Sequence, residues 1–262
     1  MFSSLRLKLL LVAVLVIGTG FAASQVSANH SWFNYHWART SNPFTITLGD
    51  NVSSAWDSYL GLASADWSLS SVLDTRVVPG KTNPKNCRAV SGRVEVCNNR
   101  YGKNGWLGIA SIWVSGSHIV QGTVKMNDTY FNSTQYNKPE WKRSVMCQEI
   151  GHTLGLDHQD EDFYNTNLNT CMDYTNNPLS NQIPNQHDYD MLETIYAHLD
   201  STSTVGSAAV SSNGNDIDHD NRSTWGKSIR TSKDGKASLF VKETKDGKIF
   251  TFVIWADETE AH

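Results

Sequence analysis

The stretch that decides the fold reads Cys147-Gln148-Glu149-Ile150-Gly151-His152-Thr153-Leu154-Gly155-Leu156-Asp157-His158. On a helix, Gln148 and His152 stand four apart and so lie one above the other on the same face. Glu149 stands three before His152 and borders that face. Gly155 lets the chain leave the helix through a left-handed turn that other residues resist, and such a turn can swing His158 back toward His152. The pattern therefore predicts two imidazoles and a carboxylate brought to one point, the arrangement for a metal ion beside a general base. A bare E-x-x-H is common in helices whose polar residues only face solvent. The glycine and the second histidine are what lift this stretch above that reading.

Working outward, residues 139–155 read as one helix, with Pro139 acceptable in its first turn and Gly155 just past its end. Residues 156–184 lack periodicity and are rich in Asn, Asp and Thr, which predicts a long loop, usually functional in a compact domain. Helical spacing returns over 186–198 through Leu192, Ile195 and Tyr196. Upstream, 43–49 alternates as a strand does. Trp56, Leu60, Ala63 and Trp67 then recur at helical spacing over 53–67, where Ser53 can cap the start. Short strands are predicted at 93–96, 107–114 and 118–126. Strands alternating with helices give an α/β body spanning 29–200. Residues 201–222 have linker composition. Within 223–262, three strands at 228–231, 236–243 and 248–255 meet at Asp234-Gly235 and Asp246-Gly247, both favoured hairpin turns. They predict a small C-terminal β-meander appended to the body.

The chain has 262 residues and a formal charge of −4, which suits one main domain with an appendage. Residues 1–28 carry Arg6 and Lys8, then an apolar run, then small residues up to Ala28. That is the pattern of a secretory signal peptide, its apolar part too short for a comfortable membrane span. The remainder is acidic and has no basic stripe, which excludes a nucleic-acid footprint. No later stretch is apolar enough to cross a membrane, so the expectation is an exported, extracellular monomer. In such a chain the four cysteines favour disulfides. Of three pairings, Cys87–Cys97 as a short local loop and Cys147–Cys171 as a tie between the helix and the loop around Met172 are preferred. A four-cysteine zinc site is the competing reading, but its C-x2-C knuckles are missing.

With Thr170-Cys171-Met172-Asp173-Tyr174 downstream, the deciding stretch resembles the elongated zinc motif H-E-x-x-H-x-x-G-x-x-H of the metzincin peptidases, in their matrixin- and astacin-like form. It matches at Glu149, His152, Gly155 and His158 and departs at Gln148, where the family has histidine. Met172 looks like the Met-turn that underlies the metal. Tyr174, two residues on, is similar to the tyrosine that contacts the zinc or stabilises the transition state in the astacin and serralysin branches. The resemblance covers roughly residues 43–198, and the whole chain looks like a family of bacterial exported proteins carrying this Q-E-x-x-H variant. It implies a metzincin-like α/β (α+β) fold: a mixed, mainly parallel twisted sheet with an active-site helix, a Met-turn and a C-terminal helix. It implies a zinc-dependent endopeptidase acting on a protein or peptide substrate, with zinc held by His152, His158 and Gln148. Glu149 would be the general base, Tyr174 would hydrogen-bond the oxyanion, and the strand near residues 108–111 would pair with an extended substrate.

Gln148 leaves three readings open. Its amide oxygen binds zinc weakly, or water replaces the missing ligand, or the site is empty and the chain is an inactive metzincin-fold module for extracellular binding or scaffolding. A further reading makes the β-meander the functional part. Among the remaining conspicuous residues, His118, His187 and His198 read as exposed or hydrogen-bonded histidines rather than ligands, since none has a spaced partner. Asp160, Glu161 and Asp162 could hold calcium, but a solvated acidic turn is the stronger reading because no calcium-loop glycine is present. Asn51, Asn127, Asn132 and Asn221 begin glycosylation triplets that matter only in a host that glycosylates this way.

Overall fold

Alternating apolar residues over 44–51 form one long strand, and 118–127, buried almost throughout, forms another inside the same sheet. The computed structural model describes residues 30–207 and 217–257. The predicted leader, 1–28, and the middle of the predicted linker lie outside them. Along the chain come β1 (His36–Trp37), β2 (Phe44–Asn51), α1 (Asp57–Trp67), β3 (Leu73–Pro79), β4 (Val94–Asn99), β5 (Trp106–Ser115) and β6 (His118–Asn127). There follow α2 (Asp128–Phe131), α3 (Pro139–Thr153), α4 (Gln186–Ile195), β7 (Lys227–Thr231), β8 (Ala237–Thr244) and β9 (Gly247–Trp255). One mixed sheet runs β3-β2-β4-β6-β5-β9-β8-β7, with β1 beside the start of β6. Pairing is parallel from β3 to β6 and antiparallel from β6 through β5 to β7. The architecture is α/β, with α1 and α3 packed together over the sheet.

Several boundaries differ from the sequence reading. The first helix starts at Asp57 rather than 53, and no side chain caps it. Ser53 instead takes a backbone role, accepting from Trp56 N at 2.8 Å. The closing helix stops at Ile195 because the Tyr196 hydroxyl turns inward to donate to Leu154 O at 2.8 Å. β1 and β3 were not expected. β1 is too short to show a period, and β3 is an edge strand with Asp74 and Arg76 outward and a proline at its end.

β7 to β9 sit where the hairpin turns predict, and through β9 they hydrogen-bond along the whole of β5. Both faces of β9 are buried. Phe250, Phe252 and Ile254 join the main core with Ile46, Leu60 and Ile150. Ile249 and Val253 join Trp106, Ile109, Trp113 and Trp225 on the opposite face. Each such side chain contributes about 1.5–3 kcal/mol on burial, so β9 is held to the body by its core. Cys87–Cys97 and Cys147–Cys171 are both bonded, and the second ties α3 to the turn around Met172. Among the described residues no helix is long and apolar enough to cross a membrane.

Candidate metal centre

The half of α3 that carries the motif is buried on every side, from Ser144 to Thr153. Gly151 explains how the Met172 turn fits beneath it. A Cβ there would stand 2.5 Å from Met172 Sδ and 2.7 Å from the Trp67 ring, so only bare backbone permits that contact. The turn is pinned in place: Thr170 Oγ1 accepts from Met172 N at 3.0 Å, and Met172 O accepts from Gln159 N at 2.7 Å. Asp188, fully buried, accepts from Gln159 Nε2 at 2.8 Å and from the Thr170 hydroxyl, and so joins α4 to both ends of this loop. The sequence reading did not single out Asp188. Its signal is the capping box it forms with Asn185.

Gly155 ends the helix with φ +102°, a backbone that L side chains rarely adopt. The turn does two things. Leu156 O comes to 2.9 Å from His152 Nδ1, which donates to it, leaving the lone pair on Nε2. His158 returns toward the helix, and its ring centroid lies 4.4 Å from that of His152 at an interplanar angle of 81°. His158 Nδ1 lies 3.4 Å from Asp157 Oδ1 and 3.8 Å from Glu161 Oε1, and neither of its ring nitrogens makes a hydrogen bond among the described residues.

Around this pair stand the other expected residues. Gln148 and Glu149 are 3% and 0% exposed, and Gln148 Nε2, both Glu149 oxygens and His158 Nε2 have no hydrogen-bond partner among the described residues. Burial pushes the Glu149 carboxyl well above the usual carboxylate range, with the Ala110 amide acting in the opposite sense. Burial, and then the neighbouring His158, hold the His152 imidazole well below its ordinary value. Tyr174 lies with its ring 3.8 Å from that of His158 and stacks at 4.6 Å on Phe163 behind it. Burial and the nearby Glu149 raise its phenol well above the ordinary value. Orphaned polar atoms packed this densely are rare in protein interiors and call for an ion or ordered water. An imidazole pair together with the amide and carboxyl of the adjoining helix is a donor set that fits zinc.

Two expectations meet a different arrangement. The edge of β5 near residues 108–111 does not lie open for a substrate, because β9 fills it, with Gly108 opposite Ile254, Ala110 opposite Phe252 and Ser111 opposite Thr251. The Phe252 ring stacks on His152 at 4.1 Å and 16°. The acidic turn is engaged as well. Glu161 Oε1 lies 2.8 Å from Arg230 Nε, Asp160 Oδ1 accepts from Asp162 N at 2.6 Å, and Asp162 Oδ1 accepts from Tyr164 N at 2.9 Å. Those contacts leave calcium without support.

Arg230 on β7 also grips Asp157, donating from Nη1 at 2.7 Å and from Nη2 to the other oxygen. The free space bounded by His158, Tyr174, Leu239 and Phe252 is about 10 Å³, near the lower limit for a single water. The sequence reading missed Phe252 and Arg230 as neighbours of the site. The available signal was the apolar character of 249–254, interrupted only at Thr251, which marks a strand covered on both faces rather than one facing water.

No family model matches the chain, and no curated protein matches it. Among solved structures, myroilysin is 15% identical, the match covering 61% of this chain and 82% of that one with a TM-score of 0.36. High choriolytic enzyme 1, a hatching enzyme zinc-protease from Oryzias latipes (Medaka fish), is 12% identical over 62% of this chain and 94% of that one, with a TM-score of 0.34.

Proposed function

We propose that the chain is an exported zinc-dependent endopeptidase held closed by its own C-terminal strands. One observation carries the reading: the turn at Gly155 brings the rings of His152 and His158 to 4.4 Å, at the end of the helix that carries a fully buried Glu149. His152 and His158 would hold the metal, with Gln148 as the third, neutral ligand. Zinc at this point would polarise a scissile carbonyl and lower the pKa of a water molecule. Glu149 would accept the attacking water's proton and deliver it to the departing amine. The Tyr174 phenol, kept protonated by burial, would donate to the developing oxyanion. β9 lies along the edge of β5 that an extended peptide would take, so cleavage requires β7 to β9 to move aside.

A second reading has its own support. Phe252 against His152, together with the roughly 10 Å³ of free space beside His158, suits a non-catalytic binding or scaffold module. Zinc content and casein cleavage by the full-length chain separate the two. A His152→Ala/His158→Ala variant should hold one zinc fewer than wild type. Glu149→Gln should keep wild-type zinc while lowering cleavage at least about a hundredfold. Cleavage that survives Glu149→Gln removes the catalytic assignment. Full zinc retention without cleavage, even after the covering strand is loosened, selects the module.

A further inference from the structure

We propose that His36, His198 and Asp200, with His118 beside Asp200, form a second metal site suited to Zn²⁺. It fastens the N-terminal strand and the segment beyond α4 to the start of β6, and it does not depend on the peptidase reading.

Topology brings the four together. β1 pairs with β6 in a register that sets His36 opposite His118, and their ring centroids lie 5.0 Å apart. Past α4 the chain returns beside β1. Asp200 N donates to Arg39 O and Thr204 N to Ala38 O, both at 2.9 Å, and this carries His198 and Asp200 to the same spot. Asp200 Oδ1 then lies 3.4 Å from His36 Nε2, 3.2 Å from His118 Nε2 and 3.9 Å from His198 Nε2. His198 Nε2 lies 3.2 Å from His36 Nε2. Ligand atoms bound tetrahedrally at about 2.0–2.1 Å from zinc stand roughly 3.3–3.4 Å apart; three of these separations match such edges, and the ligand atoms of His36, His198 and Asp200 all lie within 4.8 Å of one another.

The chemistry of the contacts points the same way. His36 Nδ1 donates to Asn34 O at 2.7 Å, which leaves the lone pair of the neutral ring on Nε2. That lone pair faces a carboxylate oxygen and a second imidazole Nε2. Lone pairs so placed repel unless a cation lies among them. A single proton relieves one such contact, whereas a metal ion relieves all of them.

An outer layer holds the ligands in place, as it does around metal sites generally. Arg39 donates to the other Asp200 oxygen from Nη1 at 2.9 Å and from its backbone N at 3.2 Å, and its Nη2 donates to His198 O. Arg39 is itself buried, with the Tyr196 ring 4.8 Å from its guanidinium. Three imidazoles with one carboxylate select zinc and its transition-metal neighbours over calcium or magnesium.

The test uses the full-length chain carrying His152→Ala/His158→Ala, so that the candidate peptidase centre contributes no metal. Titration with Zn²⁺ should show one tight equivalent per chain and raise the thermal unfolding midpoint. Co²⁺ in its place should give the intense visible absorption of a tetrahedral site. His198 is 54% exposed, so His198→Ala leaves the core intact, and it should weaken binding at least about tenfold. Asp200→Asn should act in the same direction. Failure to retain any cation would overturn the proposal, as would binding that neither substitution weakens. A weakly absorbing, octahedral Co²⁺ spectrum would overturn the assignment of the site to zinc.

Discussion

His152 and His158 come from a single turn of chain and lie beneath a strand, whereas His36, His118 and His198 come from three distant segments and meet at the surface. The first pair is 1% and 8% exposed. In the second group the side chains of His118 and His198 are 32% and 54% exposed. Covalent neighbourhood places the first pair: a helix, a glycine at its end and a short return suffice. Sheet pairing places the second group, since His36 meets His118 only because β1 lies beside β6. A ligand set spaced along the sequence is readable in advance, while one assembled by strand register is not. The covering of the first pair is long-range as well, because β9 reaches it from the far end of the chain.

The largest effect expected from breaking this contrast comes from Phe252→Ala. Truncating a buried phenylalanine costs about 3–5 kcal/mol, which should appear as a lower denaturant midpoint. The same change removes the ring stacked on His152 and should raise casein or peptide cleavage above the wild-type rate. Zinc at His36, His118, His198 and Asp200 should stay as tight as before, which makes that site an internal reference. Lower stability with cleavage no higher than wild type would mean that Phe252 is only core.

Local features of this molecule were legible because each rests on residues close in sequence. The helix over Pro139–Thr153, its exit at Gly155 and the hairpins at Asp234-Gly235 and Asp246-Gly247 all follow from spacing and turn chemistry. What stayed hidden was which edge each strand joins. The apolar run of β5 marks a strand buried on both faces but does not tell that Ala110 will lie opposite Phe252. Composition set 223–262 apart as an appendage, yet Ile249 and Val253 face one hydrophobic cluster while Phe250 and Phe252 face the other. A strand buried on both faces belongs inside a sheet, and that was written in residues 249–254, apolar except for Thr251. His118 and His198 read as isolated because their partners lie 82 and 162 residues away.

A smaller effect is expected at Gln148. An imidazole is a better zinc ligand than a neutral amide, so Gln148→His should raise zinc retention at the candidate centre about tenfold in a chelator titration. The second site should release its metal at the wild-type chelator concentration. Equal or weaker retention by the variant would count against Gln148 facing the metal, and would leave His152 and His158 as its only protein anchors.

The smallest change in stability should come from Arg230→Gln. Arg230 joins β7 to Asp157 and Glu161 at the rim of the candidate centre, and its side chain is 35% exposed. Partly exposed ion pairs contribute about 1 kcal/mol, a two-oxygen arginine grip lying at the upper end, so the denaturant midpoint should fall only slightly. Its position gives it leverage on opening all the same, because these contacts tie the covering strands to the loop that carries His158. Amide exchange along β8 and β9 should quicken in Arg230→Gln, and wild type in about 1 M salt, where the Debye length is ~3 Å, should approach the variant. Exchange at unchanged rates in both conditions would show that apolar burial alone keeps the strands down, and Phe252 would then be the residue that decides whether this centre meets a substrate.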